Sequence, residues 1–200
     1  MIPYQMRNRI LLSLLASLIL SWSAIASPSS VSALDLKGEK AYPFSNDSAK
    51  AIVFIFLDVE CPIANRYAPL ISRIYDRFSK EGVAFWSVYA NDLTKIEEIK
   101  KHRKDFRLTL PALRDPKHNL VKRTEASVTP EAVVYVPSGD SSSESLRVVY
   151  RGRINDQYLN FGKWRHAPTV HDLQETLEAI LKGEKLAFRS TRAVGCYIAN

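Results

Sequence analysis

The chain has two residues whose side chains combine nucleophilic with redox chemistry, Cys61 and Cys196. Cys61 is followed by Pro62 and Cys196 is preceded by Gly195. Proline is favoured at the first position of a helix, and the residue before it is held out of the helical region. Cys61 is therefore predicted to be a helix N-cap. A thiol there faces the positive end of the helix dipole and unpaired backbone N–H groups, which favour the nucleophilic thiolate and leave it within reach of other molecules. Asp58 and Glu60 work in the other direction, because a carboxylate close to a thiol raises its pKa. If the C-terminal segment folds back onto the start of this helix, Cys196 can attack an oxidised Cys61 and close a disulfide. Gly195 would permit the tight backbone approach. Arg66, one turn into the helix, and Arg153 can each hold a thiolate or an anionic substrate, or be exposed or ion-paired side chains. Thr129-Pro130 stands where a loop enters a strand, a place where a cis bond can act as a fixed turn.

These residues need a scaffold, and the hydrophobic pattern supplies one. The run at 51–57, Ala-Ile-Val-Phe-Ile-Phe-Leu, is apolar on both faces and predicts a buried central strand ending just before Cys61. Residues 64–81 carry Tyr67, Leu70, Ile71, Ile74, Tyr75 and Phe78 at helical spacing, with Gly82 as the closing cap. Residues 83–89 predict a second buried strand. Asn91-Asp92 supplies a cap for a helix over 94–103, and a short segment at 108–113 leads to the turn signal Asp115-Pro116. A short helix is expected at 118–124, a third strand at 132–136, a Ser-rich hairpin loop at 137–144 and a return strand at 146–150. Residues 155–168 read as irregular chain whose Tyr158, Phe161 and Trp164 cover the active face or form a satellite core. Thr169 is expected to cap a last helix over 170–181, closed by Gly183. Early strand–helix–strand units with right-handed crossovers imply parallel pairing, and the hairpin adds an antiparallel edge. The expected fold class is α/β, a mixed sheet with helices on both faces, in one domain over 35–200 with a Cys-containing tail.

Composition sets outer limits. A 46% hydrophobic and 24% charged chain of this length is an ordinary globular domain, which excludes a disordered, collagen-like or multi-span membrane protein. Two cysteines exclude a disulfide-dense miniprotein and a Cys-built zinc finger. Residues 1–26 read as a signal peptide: Arg7 and Arg9, an apolar run over 10–20, and Ala24-Ile25-Ala26 as the cleavage pattern. Val31-Ser32-Ala33 is a second possible cut, and an uncleaved anchor is the alternative; either way the domain is placed outside the cytoplasmic membrane, in the periplasm or beyond. The segment engages a membrane only during export. Residues 27–34 are a Ser/Pro-rich leader. Removal of 1–26 takes two arginines and no acid, lowering the formal charge from +7 to about +5. Lys100, Lys101, His102, Arg103 and Lys104 then read as a solvated helix end without the interleaved aromatics of a nucleic-acid site. His102, His118, His166 and His171 are too far apart for a local zinc motif, so neither a metal nor another cofactor is expected.

A buried strand ending in Cys-Pro, a long helix, a strand, a helix and Thr-Pro before a hairpin resembles the thioredoxin-like superfamily. Val59-Glu-Cys-Pro-Ile-Ala64 is similar to the peroxidatic segment of peroxiredoxins and stands where thioredoxins carry Cys-x-x-Cys. More narrowly, Glu60-Cys-Pro-Ile-Ala-Asn-Arg-Tyr-Ala-Pro69, Thr129-Pro-Glu131, Tyr150-Arg-Gly-Arg-Ile-Asn-Asp156 and Thr191-Arg-Ala-Val-Gly-Cys-Tyr-Ile198 resemble an exported bacterial redoxin-domain family. The resemblance covers about residues 35–198. It implies a cis-Pro loop at Thr129-Pro130 that, with Pro62 beside the thiol, holds an extended substrate backbone against Cys61.

Three departures narrow the chemistry. Ala64 stands where a thioredoxin has its second cysteine; Asp58 stands where a peroxiredoxin has Thr or Ser; Leu57 stands where a copper-delivering Sco protein has its first cysteine. The expected activity is that of an exported thiol–disulfide oxidoreductase with Cys61 as nucleophile, resolved by Cys196 or by an external thiol. Its partners would be a protein or small-molecule disulfide or peroxide and an external thiol reductant, without nucleic acid. Two other readings remain open at this level: a peroxiredoxin-like thiol peroxidase with antioxidant activity, and a non-catalytic binding module in which Cys61–Cys196 is a structural disulfide.

Overall fold

A computed structural model of the chain describes residues 31–46, 48–139 and 145–198. The expected signal segment, the first part of the leader and residues 140–144 of the hairpin loop lie outside the described residues.

The described chain opens with two short paired strands, β1 (Ala33–Leu34) and β2 (Lys40–Ala41). Leu34 also pairs with Arg114, so the end of the stretch expected as a loose leader is a strand of the sheet. β3 (Ala51–Leu57) is buried along its whole length. Val53, Ile55 and Leu57 fill one side of it, and Ile52, Phe54 and Phe56 the other, as a central strand covered on both faces requires. α1 (Pro62–Phe78) begins at the proline rather than at the first periodic residue, because Pro62 has the helical φ built in while Cys61 stays extended at φ −74°, ψ 109°. Its apolar stripe, Ile63, Tyr67, Ile71, Ile74 and Phe78, packs on the Val53 side of β3. A 3₁₀ turn, Ser79–Glu81, and Gly82 at φ 94° end it.

β4 (Val83–Tyr89) runs parallel to β3, from Ala51↔Val83 to Leu57↔Tyr89. α2 (Ile96–Asp105) starts later than expected because the Glu98 carboxylate accepts the Lys95 N–H at 2.7 Å and sets the helix entry there. β5 (Ala112–Arg114) leads into α3 (Asn119–Thr124), whose first N–H groups, from Asn119, Leu120 and Val121, donate to the buried Asp115 carboxylate at 2.8, 2.8 and 2.9 Å. β6 (Val128–Thr129) precedes the hairpin of β7 (Glu131–Pro137) and β8 (Leu146–Gly152). The segment expected to be irregular holds a small hairpin, β9 (Tyr158–Asn160) and β10 (Lys163–Trp164). Tyr158 packs into the core beside Tyr67, whereas Phe161 and Trp164 are exposed.

α4 (Asp172–Leu181) is capped by His171, not Thr169. Asp156 takes the Thr169 N–H at 2.7 Å and its hydroxyl at 2.6 Å, which removes that residue from the helix end. β11 (Arg189–Ser190) and β12 (Cys196–Tyr197) complete the chain.

The main sheet has the order β11-β8-β7-β3-β4-β5-β1-β2. The β3–β4, β4–β5 and β8–β11 pairs are parallel and the others antiparallel. Side chains of α1, α2 and α4 pack on the Val53 face, and α3 and Phe44 on the Phe54 face. The mixed α/β sheet with helices on both faces is therefore as the sequence pattern implied. β12 stays outside this sheet and pairs with β6. No helix among the described residues is long and apolar enough to cross a membrane.

Phe54 is fully buried between Phe44, at 4.9 Å between ring centroids, and Tyr135, at 6.2 Å. Phe54→Ala should destabilise the fold by about 3–5 kcal/mol in urea titration, since both the burial and the ring contacts are lost and a rigid sheet collapses poorly around the hole.

Candidate active site

The end of β3 is turned toward α1 by Asp58. Its carboxylate accepts the Glu60 N–H at 2.8 Å and the Asn91 side-chain amide at 3.5 Å, and its carbonyl accepts the Cys61 N–H at 3.3 Å. One turn into the helix, the Asn65 amide donates to the Val59 carbonyl at 3.2 Å and braces the same loop. Asn65 is itself held by His102, whose Nε2 donates to Asn65 Oδ1 at 2.7 Å, while Nδ1 accepts from the Tyr89 hydroxyl at 2.9 Å. This assignment follows from the amide's two contacts and needs a neutral ring. Burial lowers the His102 pKa accordingly, against the opposing charges of Asp58 and Asp105. Burial also raises the Tyr89 pKa above the usual phenol range.

Cys61 is only 1% exposed. Its S–H donates to the Thr129 carbonyl at 3.0 Å, and the Thr129–Pro130 peptide bond is cis. The loop before it is fastened by the buried Glu131 carboxylate, which accepts the Ser127 N–H at 2.7 Å, the Val128 N–H at 3.3 Å and the Ser127 hydroxyl at 3.3 Å. β12 lies along the same loop, in antiparallel register Cys196↔Thr129 and Tyr197↔Val128. The Ile198 N–H donates to Ser127 O at 3.0 Å, and the Thr129 hydroxyl donates to Cys196 O at 3.5 Å. A Cβ built at Gly195 would stand 2.0 Å from the Thr129 carbonyl oxygen, so only glycine fits there. The tail thus does fold back on the helix start. Burial first, then the nearby Cys61 thiol and the Asp58 charge, push the Cys196 pKa up to about 12.

The expectation of an accessible Cys61 is corrected: the residue stands at the helix N-cap as predicted, but its sulfur makes no capping hydrogen bond and is buried against the Thr129 loop along which the tail strand lies. Pro62 beside it is exposed, and Pro130 is buried. The two arginines have other contacts. Arg66 donates to the Tyr158 hydroxyl at 3.4 Å and lies 5.1 Å from the Trp164 ring centroid. Arg153 donates to the buried Asp172 at 2.7 Å, which makes it the ion-paired side chain of the alternative reading. Asp172 also holds Arg189 at 3.2 Å. Thr191 completes this anchor: its hydroxyl accepts the Arg153 N–H at 3.2 Å and meets the Tyr150 hydroxyl at 2.7 Å, against Gly152, where a Cβ would collide with it at 2.2 Å.

Several of these positioning residues carry little sequence signal. Glu131 is the exception, as a carboxylate opening an otherwise apolar strand. Asn65, His102, Asp172 and Thr191 act through partners distant in sequence. Among the described residues, no group of three or more His, Cys, Asp or Glu is arranged to hold a metal ion.

A family model matches residues 30–145, which include Cys61 and the Thr129–Pro130 loop. The chain belongs to the AhpC/TSA family. Cys196 lies beyond the matched region of this AhpC/TSA chain. Among solved structures, it is similar to a hypothetical protein of Sinorhizobium meliloti 1021, at 22% identity over 84% of this chain and 88% of that one, with a TM-score of 0.69. An uncharacterised conserved protein of Geobacillus kaustophilus gives 22% identity over 84% and 87%, with a TM-score of 0.71. A secreted Mycobacterium tuberculosis disulfide oxidoreductase homologous to E. coli DsbE gives 16% identity over 79% and 98%, with a TM-score of 0.51. Among curated proteins no sequence matches. The fold of this AhpC/TSA chain is thioredoxin-like, as the resemblance implied.

The neutral His102 makes stability pH-dependent. Its pKa is depressed in the folded state, so between that value and the unfolded value near 6.5 the unfolded chain binds more protons. The stabilisation is complete above about pH 6.5 and is lost as the pH falls through the folded pKa. Melting temperatures from pH 7.5 downward should show a decline beginning near 6.5, and His102→Gln should remove that part of the slope.

Proposed function

We propose that this protein is an exported thiol–disulfide oxidoreductase with Cys61 as nucleophile and Cys196 as resolving thiol. The observation that supports this is the meeting of both cysteines at the Thr129 carbonyl: Cys61 bonds to it, and Cys196 stands opposite it in the β12–β6 pair. In the reducing direction, the Cys61 thiolate attacks one sulfur of a substrate disulfide, R–S–S–R′. The S–S bond breaks, R′–S⁻ leaves, and Cys61 carries R as a mixed disulfide. Cys196, deprotonated as it attacks, displaces R–S⁻ and closes Cys61–Cys196. Two electrons have passed from the two thiols to the substrate, which leaves as two thiols. A dithiol reductant restores the starting state, and with a more oxidising partner every step runs in reverse. Thr129 and Pro130 would position the substrate backbone. Arg66 and Arg153 are left out, because their contacts already engage them.

The helix start supports Cys61 as the attacking sulfur. The high pKa of Cys196 suits a resolving thiol that stays protonated until Cys61 is oxidised. Export rests on the sequence of residues 1–26.

Peroxide reduction is the second reading, favoured by the family match. There, Cys61 thiolate, ROOH and a proton taken from solvent give Cys61–SOH and ROH, and the Cys196 thiol then displaces the hydroxyl as water to form the same disulfide. Asp58 disfavours it, since an anionic acceptor stands where a peroxide would need a donor.

With a model protein disulfide and dithiothreitol as donor, Cys61→Ser should lower turnover by at least about 100-fold, and pre-reduced Cys196→Ser mixed with the disulfide in the absence of dithiothreitol should accumulate a mixed disulfide on Cys61. Full turnover by Cys61→Ser would overturn the proposal. The Cys61–Cys196 couple should have a potential above about −300 mV; a lower value would mark a structural staple. In stopped flow with hydrogen peroxide, Cys61 should oxidise no faster than a free cysteine, and a fast Cys61-dependent loss of peroxide would shift the assignment to a peroxidase.

A further inference from the structure

The tail reaches Cys61 in two stages of different strength. The first is the anchor. β11 joins the main sheet in parallel with β8, the Thr191 N–H donates to Arg151 O at 3.0 Å, and the Thr191 hydroxyl sits in the space that Gly152 leaves. Arg189 is tied to the buried Asp172. The second is β12, a two-residue strand outside the main sheet. Its described hydrogen bonds all go to residues 127–129, and Tyr197 projects into solvent at 87% exposure. Residues 192–195 join a firm anchor to a lightly held strand.

That strand occupies a revealing position. It covers the edge of β6, and the sulfur beneath it is the Cys61 sulfur bonded to Thr129. With β12 in place, no disulfide carried by another polypeptide can approach Cys61. With β12 removed, the Ser127 carbonyl loses the Ile198 N–H, the Thr129 hydroxyl loses the Cys196 carbonyl, and the edge of β6 beside Cys61 is left open. An open strand edge is satisfied by another extended chain, which takes the same register.

We infer that β12 is an autoinhibitory strand. It fills, within its own chain, the place of an extended cysteine-bearing segment of a partner protein, and it must swing out about the Thr191 anchor before Cys61 can react with that partner. The segment that replaces it pairs with Val128 and Thr129 and carries its cysteine where Cys196 now stands. This rests on the reading of Cys61 as a nucleophile, and adds that its access is controlled by strand exchange.

The test uses full-length chains. In Cys196→Ser, the strand can still pair but brings no second thiol. In Gly195→Val, Cys196→Ser, the new Cβ collides with the Thr129 carbonyl and the strand cannot seat. The readout is the rate at which N-ethylmaleimide alkylates Cys61 at a single pH, with thermal melting to verify the fold. A covered thiol reacts only in the fraction of molecules that are open. The Cys196→Ser protein should therefore react at least about 100-fold more slowly than the same chain in urea, and the double variant at least about tenfold faster than Cys196→Ser. Ile198→Asp, Cys196→Ser, which weakens the hold of the strand on the core, should show the same acceleration and is the deciding variant if the first does not melt cooperatively. Equal rates in the Cys196→Ser protein and in a folded double variant would overturn the inference, as would a Cys196→Ser protein that reacts at the urea rate. Alkylation needs no turnover, so an ungated Cys61 overturns the gate alone, whereas an active Cys61→Ser protein overturns the oxidoreductase reading alone.

Discussion

One carbonyl oxygen organises this molecule's reactive end. Thr129 O accepts the Cys61 thiol, touches the α-carbon side of Gly195 and belongs to the residue paired with Cys196. Three segments far apart in sequence converge on it because each gives up something there: Cys61 its exposure, Gly195 any side chain, and β12 a place in the main sheet. The carbonyl is held by its neighbours, since Glu131 fastens the preceding loop from inside the fold. A buried carboxylate is tolerated in that position because backbone N–H groups meet it.

The anchor of the tail reuses chemistry that would serve equally well in a binding site. A guanidinium near a redox thiol can hold an anion, but Arg153 is spent on Asp172, whose carboxylate is 1% exposed and also receives Arg189. Removing either partner would leave a buried charge short of compensation, which is far more costly than an exposed pair is favourable. Tail geometry therefore depends on a polar lock at one end and backbone pairing at the other. The lock is built on a buried carboxylate and joins the main sheet, and the pairing is short and peripheral. That difference makes the last strand the element of the site best able to move.

Much of the framework was legible in the amino-acid order. The continuous apolar runs of β3 and β4 could only be central strands, and Pro62 after a cysteine fixed the start of α1 more sharply than the hydrophobic period did. The start of α2 was moved by a local contact, the Glu98 carboxylate on the Lys95 N–H. Two other misread boundaries share one cause: Asp156 drew Thr169 away from α4 and Arg114 drew Leu34 into the sheet, each through a partner that local propensity does not contain. The network of Tyr89, His102 and Asn65 was invisible for the same reason, because its members lie on a strand and two helices.

By itself, the sequence determined the sheet-and-helix order, the placement of a thiol at a helix N-terminus, and the presence of a second thiol next to a glycine able to approach backbone closely. These are properties of neighbouring residues, carried by hydrophobic period and by the backbone limits of proline and glycine. Tertiary structure alone decided that the two cysteines meet, that Cys61 is covered and that Arg153 serves the anchor. Each of those outcomes depends on where chain segments separated by tens of residues are brought by burial of the core, and no local preference encodes a distance of that kind.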